Sequence, residues 1–175
     1  MRLIFVILSF ISFLVLGCET EKRYSPDGKI SLNIIGPNKS ILDTLTVSEN
    51  DRYAMIALFN IGDSAKNQNF LFSITRMKGD KAMTIEDAFN NYVRDVTPFF
   101  TTVIEAKSYK KDGKMLYRKI SESDWGPEKV RNIMFYFMEN NNSNILYELK
   151  GSIATEKYNY GIECMEKMAL SVKIQ

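Results

Sequence analysis

The side-chain chemistry open to this sequence is limited first by the absence of histidine. The chain therefore lacks the most common general base, the usual partner of a nucleophilic serine or cysteine, and the most common transition-metal ligand. The sequence also has no glycine-rich phosphate loop, no Cys-x-x-Cys pair and no Gly-x-Ser-x-Gly motif. We expect a protein that is not an enzyme and that needs no cofactor and no metal.

Two weaker patterns have simpler structural explanations. Ser108 and Lys111 match Ser-x-x-Lys, but that chemistry places the serine at the start of a helix, whereas Ser108 ends a predicted strand. Glu163 and Glu166 could share a cation, yet Lys167 follows Glu163 by four residues and favours an ordinary solvated helix face. A hydrolase that uses carboxylates alone is the remaining enzymatic alternative.

The first eighteen residues carry the clearest chemical signal. Arg2 precedes an apolar run from Leu3 to Leu16, and Gly17 and Cys18 follow it. As a helix the run would be about 21 Å long, which is too short for a hydrocarbon core of about 30 Å. A charged start, a short apolar run and a small residue before the end of the segment are typical of a secretory signal.

The Gly17-Cys18 pair resembles the lipobox of bacterial lipoproteins, in which the signal is cut before the cysteine and the cysteine then carries lipid. Leu16 fits this pattern less well, and an ordinary signal peptide or uncleaved anchor is the alternative. We predict a signal peptide over residues 1–17, lipidation at Cys18, a tether over residues 18–25 and one domain over residues 26–175. Cys164 then has no intramolecular disulfide to form, and we expect it to be a packing residue.

Charge is concentrated in a predicted hairpin whose Asp112-Gly113 pair is typical of a two-residue turn. Its basic residues are Lys107, Lys110, Lys111, Lys114, Arg118 and Lys119. They could meet anionic headgroups, lipid A phosphates or an acidic protein partner. The alternative is that the lysines protect an exposed sheet edge from pairing with other chains.

Trp125, the single tryptophan, follows this hairpin in a predicted loop over residues 121–131. It could anchor a partner, or it could pack back on its own domain. With Trp125 and the hairpin at one end of the sheet, an aromatic anchor would lie inside a cationic rim. Our candidate partner-binding residues are therefore Trp125, Lys110, Lys111, Lys114 and Arg118.

Hydrophobic periodicity predicts an α+β fold. Strands are expected over residues 29–35, 53–60, 70–77, 99–109, 115–121, 132–138 and 145–154, with another short strand possible over residues 40–52. Helices are expected over Thr84–Val96, where Thr84 can cap the first turn, and over Lys157–Val172. Short hairpins between strands predict a largely antiparallel sheet of six to seven strands covered by helices, an α-β-α sandwich. The strand over residues 132–138 is apolar on both faces and should be interior.

Several of these elements together resemble the PsbP-like superfamily. They are the strand Ile30–Ile35, the helix opening at Thr84-Ile85-Glu86-Asp87-Ala88, the Asp-Gly hairpin, the apolar strand Ile133–Met138 and the final helix running into Leu170-Ser171-Val172. The superfamily includes Ran-binding Mog proteins, photosystem II PsbP, and DcrB-like bacterial lipoproteins and secretion adaptors. The resemblance implies an α-β-α sandwich used for binding, usually of another protein, and it transfers no catalytic residue.

We therefore expect an envelope lipoprotein held in the bacterial outer membrane by lipid on Cys18. Its expected partner is an unidentified protein or an anionic envelope component. Nucleic acid is not expected, because 23 basic residues face 21 acidic ones. The alternative is a carrier of a small apolar ligand or lipid, which nine methionines and eleven phenylalanines would favour as adaptable apolar walls.

Overall fold

Alternating apolar residues and short turns build most of this chain into antiparallel hairpins. The computed structural model describes residues 20–25, 28–35, 38–43, 52–63, 68–97, 100–125, 128–155 and 158–175. The predicted signal peptide over residues 1–17 and the lipidation site Cys18 lie outside these ranges. Within them, no helix is long and apolar enough to cross a membrane.

In the described ranges, nine strands precede the final helix, and a tenth follows it. In chain order the strands are β1 (Thr20–Tyr24), β2 (Ile30–Ile35), β3 (Asn38–Asp43), β4 (Tyr53–Asp63), β5 (Gln68–Met83), β6 (Thr101–Lys111), β7 (Lys114–Trp125), β8 (Glu128–Met138), β9 (Ser143–Ala154) and β10 (Lys173–Ile174). Helix α1 (Ile85–Ala88) continues as a π-helical turn (Phe89–Val93), and α2 spans Tyr158–Ser171.

The strands form two sheets. A seven-stranded sheet has the order β3-β4-β5-β9-β8-β7-β6, and a three-stranded sheet has the order β1-β2-β10. Every pair of neighbouring strands is antiparallel. The predicted hairpin is confirmed: Asp112 and Gly113 have φ angles of 50° and 79°, the left-handed values that a tight two-residue turn requires.

One face of the large sheet, which we call the closed face, is covered by α2 and the small sheet. Its core includes Ile30, Leu32, Ile34, Phe72, Ile74, Phe135, Tyr147, Leu149, Met165 and Met168. Helix α2 approaches β9 closely, because a Cβ on Gly151 would lie 2.8 Å from the sulfur of Met165. Cys164 is buried in this core, where a packing residue was expected.

The opposite face, which we call the open face, is covered less completely. Ala88, Phe89 and Val93 pack there against a second apolar cluster. The ring centroids of Phe89 and Tyr117 lie 5.5 Å apart in an edge-to-face arrangement. The predicted stripe continued to Tyr92 and Val96, but these side chains are 59% and 55% exposed.

The open-face helix has the predicted start but ends earlier than expected. Thr84 Oγ1 accepts a hydrogen bond of 3.1 Å from the Asp87 amide, which confirms the cap. The helical turns end at Val93 rather than Val96. Lys119 caps this end, because its ammonium donates to the carbonyl oxygens of Val93, at 2.7 Å, and of Val96.

The α-β-α arrangement and the largely antiparallel sheet are confirmed, with β8 interior between β9 and β7. The predicted tether over residues 18–25 needs correction, because Thr20–Tyr24 pair with β2. The predicted loop over residues 121–131 is wrong. Strands β7 and β8 extend through most of it, and Glu122 joins them by accepting hydrogen bonds from Lys129 at 3.0 Å and from Arg131 at 3.2 Å.

Candidate functional site

Most basic side chains of the hairpin bind acceptor groups within the domain. Lys114, at the start of β7, places its ammonium at the C-terminus of α2. There it donates to the carbonyl oxygens of Val172 at 2.8 Å and of Ala169 and Leu170 at 3.3 Å. These carbonyls belong to the negative end of the helix dipole. Burial lowers the pKa of Lys114.

Arg118 forms the centre of a second internal network. It donates to Glu105 at 2.6 and 2.9 Å and to the Tyr109 hydroxyl at 3.2 Å, and it lies 3.5 Å from Glu166 on α2. Tyr109 and Lys111 also donate to Glu166. Burial opposes ionisation of Glu166, but these hydrogen bonds outweigh burial and hold its pKa below the usual value. The predicted solvated role of Glu166 is therefore wrong, whereas Glu163 is exposed as expected.

The five predicted partner-binding residues are not brought together. Lys111, Lys114 and Arg118 contact α2, and Lys110 is exposed. Trp125 ends the twelve-residue strand that Lys114 begins, about 36 Å away at ~3.3 Å per residue, and pairs with Glu128. The prediction that they share one end of the sheet is wrong, because the hairpin strand continues to Trp125. The side chain of Trp125 lies outside the described part of the structure.

A different site lies on the open face, beside the π-helical turn. A cleft of about 570 Å³, which we call the polar cleft, has a floor formed by β6 to β9. Hydrogen-bonding side chains cross this floor from strand to strand. The Ser152 hydroxyl donates to Asn132 Oδ1 at 2.8 Å, Asn132 Nδ2 donates to Ser123 at 2.9 Å, and the hydroxyls of Ser123 and Thr101 lie 3.3 Å apart.

The polar cleft also contains a buried acid between two lysines. Tyr136 donates to Glu148 Oε2 at 2.8 Å. Burial raises the pKa of Glu148, although Tyr136, Lys150 and Lys119 favour its charged form. Burial likewise lowers the pKa of Lys119, against the attraction of Glu148. Both Lys119 and Lys150 line the cleft.

A second cleft, of about 620 Å³, lies on the other side of the short helix. We call it the methionine cleft, because Met77, Met83 and Met138 line it with Leu146. The two clefts share Met77, Tyr92 and Val93 as lining residues. The clefts therefore meet beside the exposed ring of Tyr92.

Polarity changes along the strands that form both floors. On β9 the side chains that line the clefts run from Ser152 through Lys150 and Glu148 to Leu146. Each cleft has the volume typical of a small-molecule site, and the apolar walls with a few convergent polar groups have the typical composition. Among the described residues, no three histidine, cysteine, aspartate or glutamate side chains are placed to hold a metal ion.

Sequence reasoning missed this site. Asn132 directly precedes the apolar run of β8, Ser152 lies near the end of β9, and these two uncharged polar residues were the available signal. Their meaning depends on strand register, because β8 and β9 place them directly opposite each other. Lys150 had no distinguishing sequence context.

No protein-family model and no curated protein matches this sequence. Solved structures do match it. A crystal structure from Bacteroides thetaiotaomicron VPI-5482 superposes with a TM-score of 0.56 at 13% identity over 89% of this chain. The match covers 48% of that protein, so this chain spans about half its length.

Two other structures match over nearly their full lengths. The solution structure of the cyanobacterial PsbP protein CyanoP, from Synechocystis sp. PCC 6803, has a TM-score of 0.58 at 12% identity and covers 90% of this chain and 94% of its own. LpqN of Mycobacterium tuberculosis, described as involved in cell envelope biogenesis, has a TM-score of 0.50 at 8% identity and covers 90% and 91%. The resemblance to PsbP-like proteins is thus confirmed at the level of the fold, and this chain has the fold shared by CyanoP and LpqN.

Proposed function

We propose that this protein is a lipid-anchored component of the bacterial cell envelope whose domain binds a ligand on its open face and performs no reaction. The observation that carries the proposal is the pair of adjoining clefts beside the short helix, which share Met77, Tyr92 and Val93. Their apolar walls and polar floor suit an amphipathic molecule. We therefore favour a carrier of a small apolar ligand or lipid over a domain that binds its partner at the basic hairpin. The charges of that hairpin largely have partners within the protein.

The envelope location rests on two independent supports. The first is the signal and lipobox pattern that ends at Cys18. The second is the fold shared with LpqN, which is itself involved in cell envelope biogenesis. We propose that the mature protein begins at acylated Cys18 and resides in the outer membrane.

Fractionation and mass spectrometry test the anchor. Wild-type protein expressed in a Gram-negative host should fractionate with the outer membrane, and its N-terminal peptide should carry acyl chains on Cys18. Cys18→Ala should leave the precursor uncleaved or release the domain into the soluble fraction. Normal processing with full membrane retention of Cys18→Ala would refute lipidation.

A neutral fluorescent probe tests ligand binding at the clefts. N-phenylnaphthylamine should fluoresce more strongly with the wild-type protein, and Tyr92→Asp should weaken binding about fivefold by placing a charge where the apolar walls meet. Tyr24→Asp is a matched control, because Tyr24 is also an exposed tyrosine but lies on β1 of the small sheet. Equal binding by all three proteins would place the probe elsewhere, and no binding would refute the ligand site.

A protein partner is the second candidate, and a specific observation favours it. Tyr53 and Met55 are 66% and 42% exposed and lie two residues apart on one face of β4. Exposed apolar side chains close together mark interaction surfaces in soluble domains. If a protein binds here, a partner cross-linked to wild type in intact envelopes should be lost with Met55→Asp and retained with Tyr24→Asp.

A further inference from the structure

Lys150 stands out among the charged side chains of the open face. It is half-buried in the polar cleft, and its ammonium makes no hydrogen bond or ion pair with any residue that the structure describes. Glu148 attracts this ammonium without contacting it, and that carboxylate already accepts the hydrogen bond of Tyr136, so Lys150 keeps its hydrogen-bond donors for another anion. The arrangement is therefore that of a site whose anion comes from outside the described chain.

The other charged groups around the cleft already have partners. Lys119 donates to two backbone carbonyls and interacts with Glu148 and Asp95. Glu148 accepts the hydrogen bond of Tyr136. Two lysines thus face one carboxylate in the cleft, and of the two it is Lys150 whose ammonium makes no hydrogen bond with a described residue.

We propose that the polar cleft recognises the carboxylate head of a fatty acid, with Lys150 as the residue that binds the head group. This inference rests on the proposed function and specifies its ligand. A second donor is available beside the ammonium, because an amide nitrogen carries two hydrogens and Asn132 uses one of them for Ser123. Two donors match the two oxygens of one carboxylate.

Strand register places these two donors at a suitable separation. Lys150 is opposite Met134, and Asn132 is opposite Ser152, so Lys150 and Asn132 are diagonal neighbours on one face of β8 and β9. Such neighbours lie about 7–8 Å apart at the backbone, a gap that a long lysine side chain and a bound carboxylate can close.

The same strands provide a path for the acyl chain. From Lys150 to Leu146, β9 advances four residues, or about 13 Å at ~3.3 Å per residue. Along this path the cleft lining changes from polar side chains to Met77, Met138 and Leu146. The chain would therefore pass beside Tyr92 into the methionine cleft, with its head at the polar end.

Calorimetric titration with three ligands of equal chain length tests the inference. Laurate and dodecyltrimethylammonium are each titrated into the wild-type protein below their critical micelle concentrations, and lauryl alcohol is titrated below its solubility limit. Laurate should bind about tenfold more tightly than lauryl alcohol, as a charge-assisted hydrogen bond predicts, and the cationic amphiphile should bind most weakly.

Variants assign the difference to one residue. Lys150→Met and Lys150→Gln should each abolish the preference for laurate over lauryl alcohol, whereas Lys150→Arg should keep it. Lys167→Met, on an exposed position of α2, is the matched control and should bind like wild type.

The failures are distinguishable. If wild type binds laurate and lauryl alcohol equally, or if both neutral Lys150 variants keep the preference, the carboxylate inference is wrong and the proposed ligand site stands. If none of the three amphiphiles binds wild type and the neutral fluorescent probe also fails, the proposed function itself is wrong.

Discussion

On both faces of the large sheet a lysine from β7 caps the end of a helix, but the two helices cover the sheet to different extents. Strand β7 directs Lys114 to the closed face and Lys119 to the open face, and each ammonium donates to carbonyls at the end of a helix. On the closed face that helix has fourteen residues and covers a continuous core with the small sheet. On the open face it has a four-residue α-helix and a five-residue π-helical turn, and clefts remain on both sides.

This difference separates stability from binding. The closed face excludes water from large apolar side chains, which is the main source of folding free energy. The open face leaves Tyr92 and Val96 exposed and contains a buried acid and a lysine whose ammonium makes no hydrogen bond or ion pair with a described residue. We therefore expect substitutions on the closed face to reduce stability and substitutions on the open face to change binding.

The largest expected effect tests the closed face directly. Phe135 is fully buried there, so Phe135→Ala should reduce the free energy of unfolding by about 3–5 kcal/mol in urea denaturation. Tyr92→Ala, on the open face, should cost less than about 0.5 kcal/mol, because the ring is mostly exposed. A loss below about 1 kcal/mol for Phe135→Ala would contradict the assignment of the closed face as the core.

A smaller effect is expected where α2 meets β9. Gly151→Ala would bring a methyl group to 2.8 Å from the Met165 sulfur and should cost about 1–3 kcal/mol through overpacking. Gly79→Ala is the matched control on β5, where the nearest atom would be 3.6 Å away. Equal midpoints of thermal unfolding for the two variants would show that α2 does not lie against β9 as closely as described.

Local patterns in the sequence were sufficient for much of this fold. The Asp112-Gly113 turn, the Thr84 cap and the doubly apolar strand around Phe135 depend on residues close in sequence. The failures depend on contacts between distant residues. From the sequence Lys114 is expected to be a surface charge, but its ammonium donates to a carbonyl of α2 that lies 55 residues later in the chain. Trp125 reads as a loop residue because Gly126-Pro127 follows, whereas pairing across β7 and β8 extends the strand.

The candidate site was harder to predict for the same reason. A cleft is defined by where a helix stops covering a sheet, and neither the early end at Val93 nor the register of Asn132 against Ser152 can be read from periodicity. Amphipathic patterning predicted that Tyr92 and Val96 would be buried with the rest of their stripe. Both side chains are instead exposed, and they line the polar cleft of the open face.

Removal of the helix cap on the closed face should have a moderate effect. Lys114→Met leaves three carbonyl oxygens at the end of α2 without this donor and should cost about 1–2 kcal/mol. Hydrogen exchange should show faster exchange in the last turn of α2 and in β10, which follows it directly. Unchanged exchange in both segments would refute the capping role, and Lys110→Met should leave exchange unaltered.

The smallest effects are in the pH dependence of stability. A glutamate on each face should contribute to it, and the two contributions should have opposite signs. The folded-state pKa of Glu166 is lowered, so its contribution is present above the unfolded pKa of about 4.3 and is lost as pH falls through the folded value. The pKa of Glu148 is raised, chiefly by burial, so the charged form destabilises the fold, and this cost grows as pH rises above the unfolded value.

Each glutamate is therefore replaced by glutamine, and unfolding is measured in urea at pH 7 and near pH 3. From low to neutral pH, Glu166→Gln should become less stable relative to wild type, by less than about 1 kcal/mol because the half-exposed Lys111 is screened by solvent. Glu148→Gln should become more stable relative to wild type over the same interval. For each variant, the difference from wild type in the free energy of unfolding is compared between the two pH values. Any pH-independent effect of replacing the carboxyl group by an amide then cancels. A shift of the same sign for both variants would show that the two faces do not differ in how they hold their buried carboxylates.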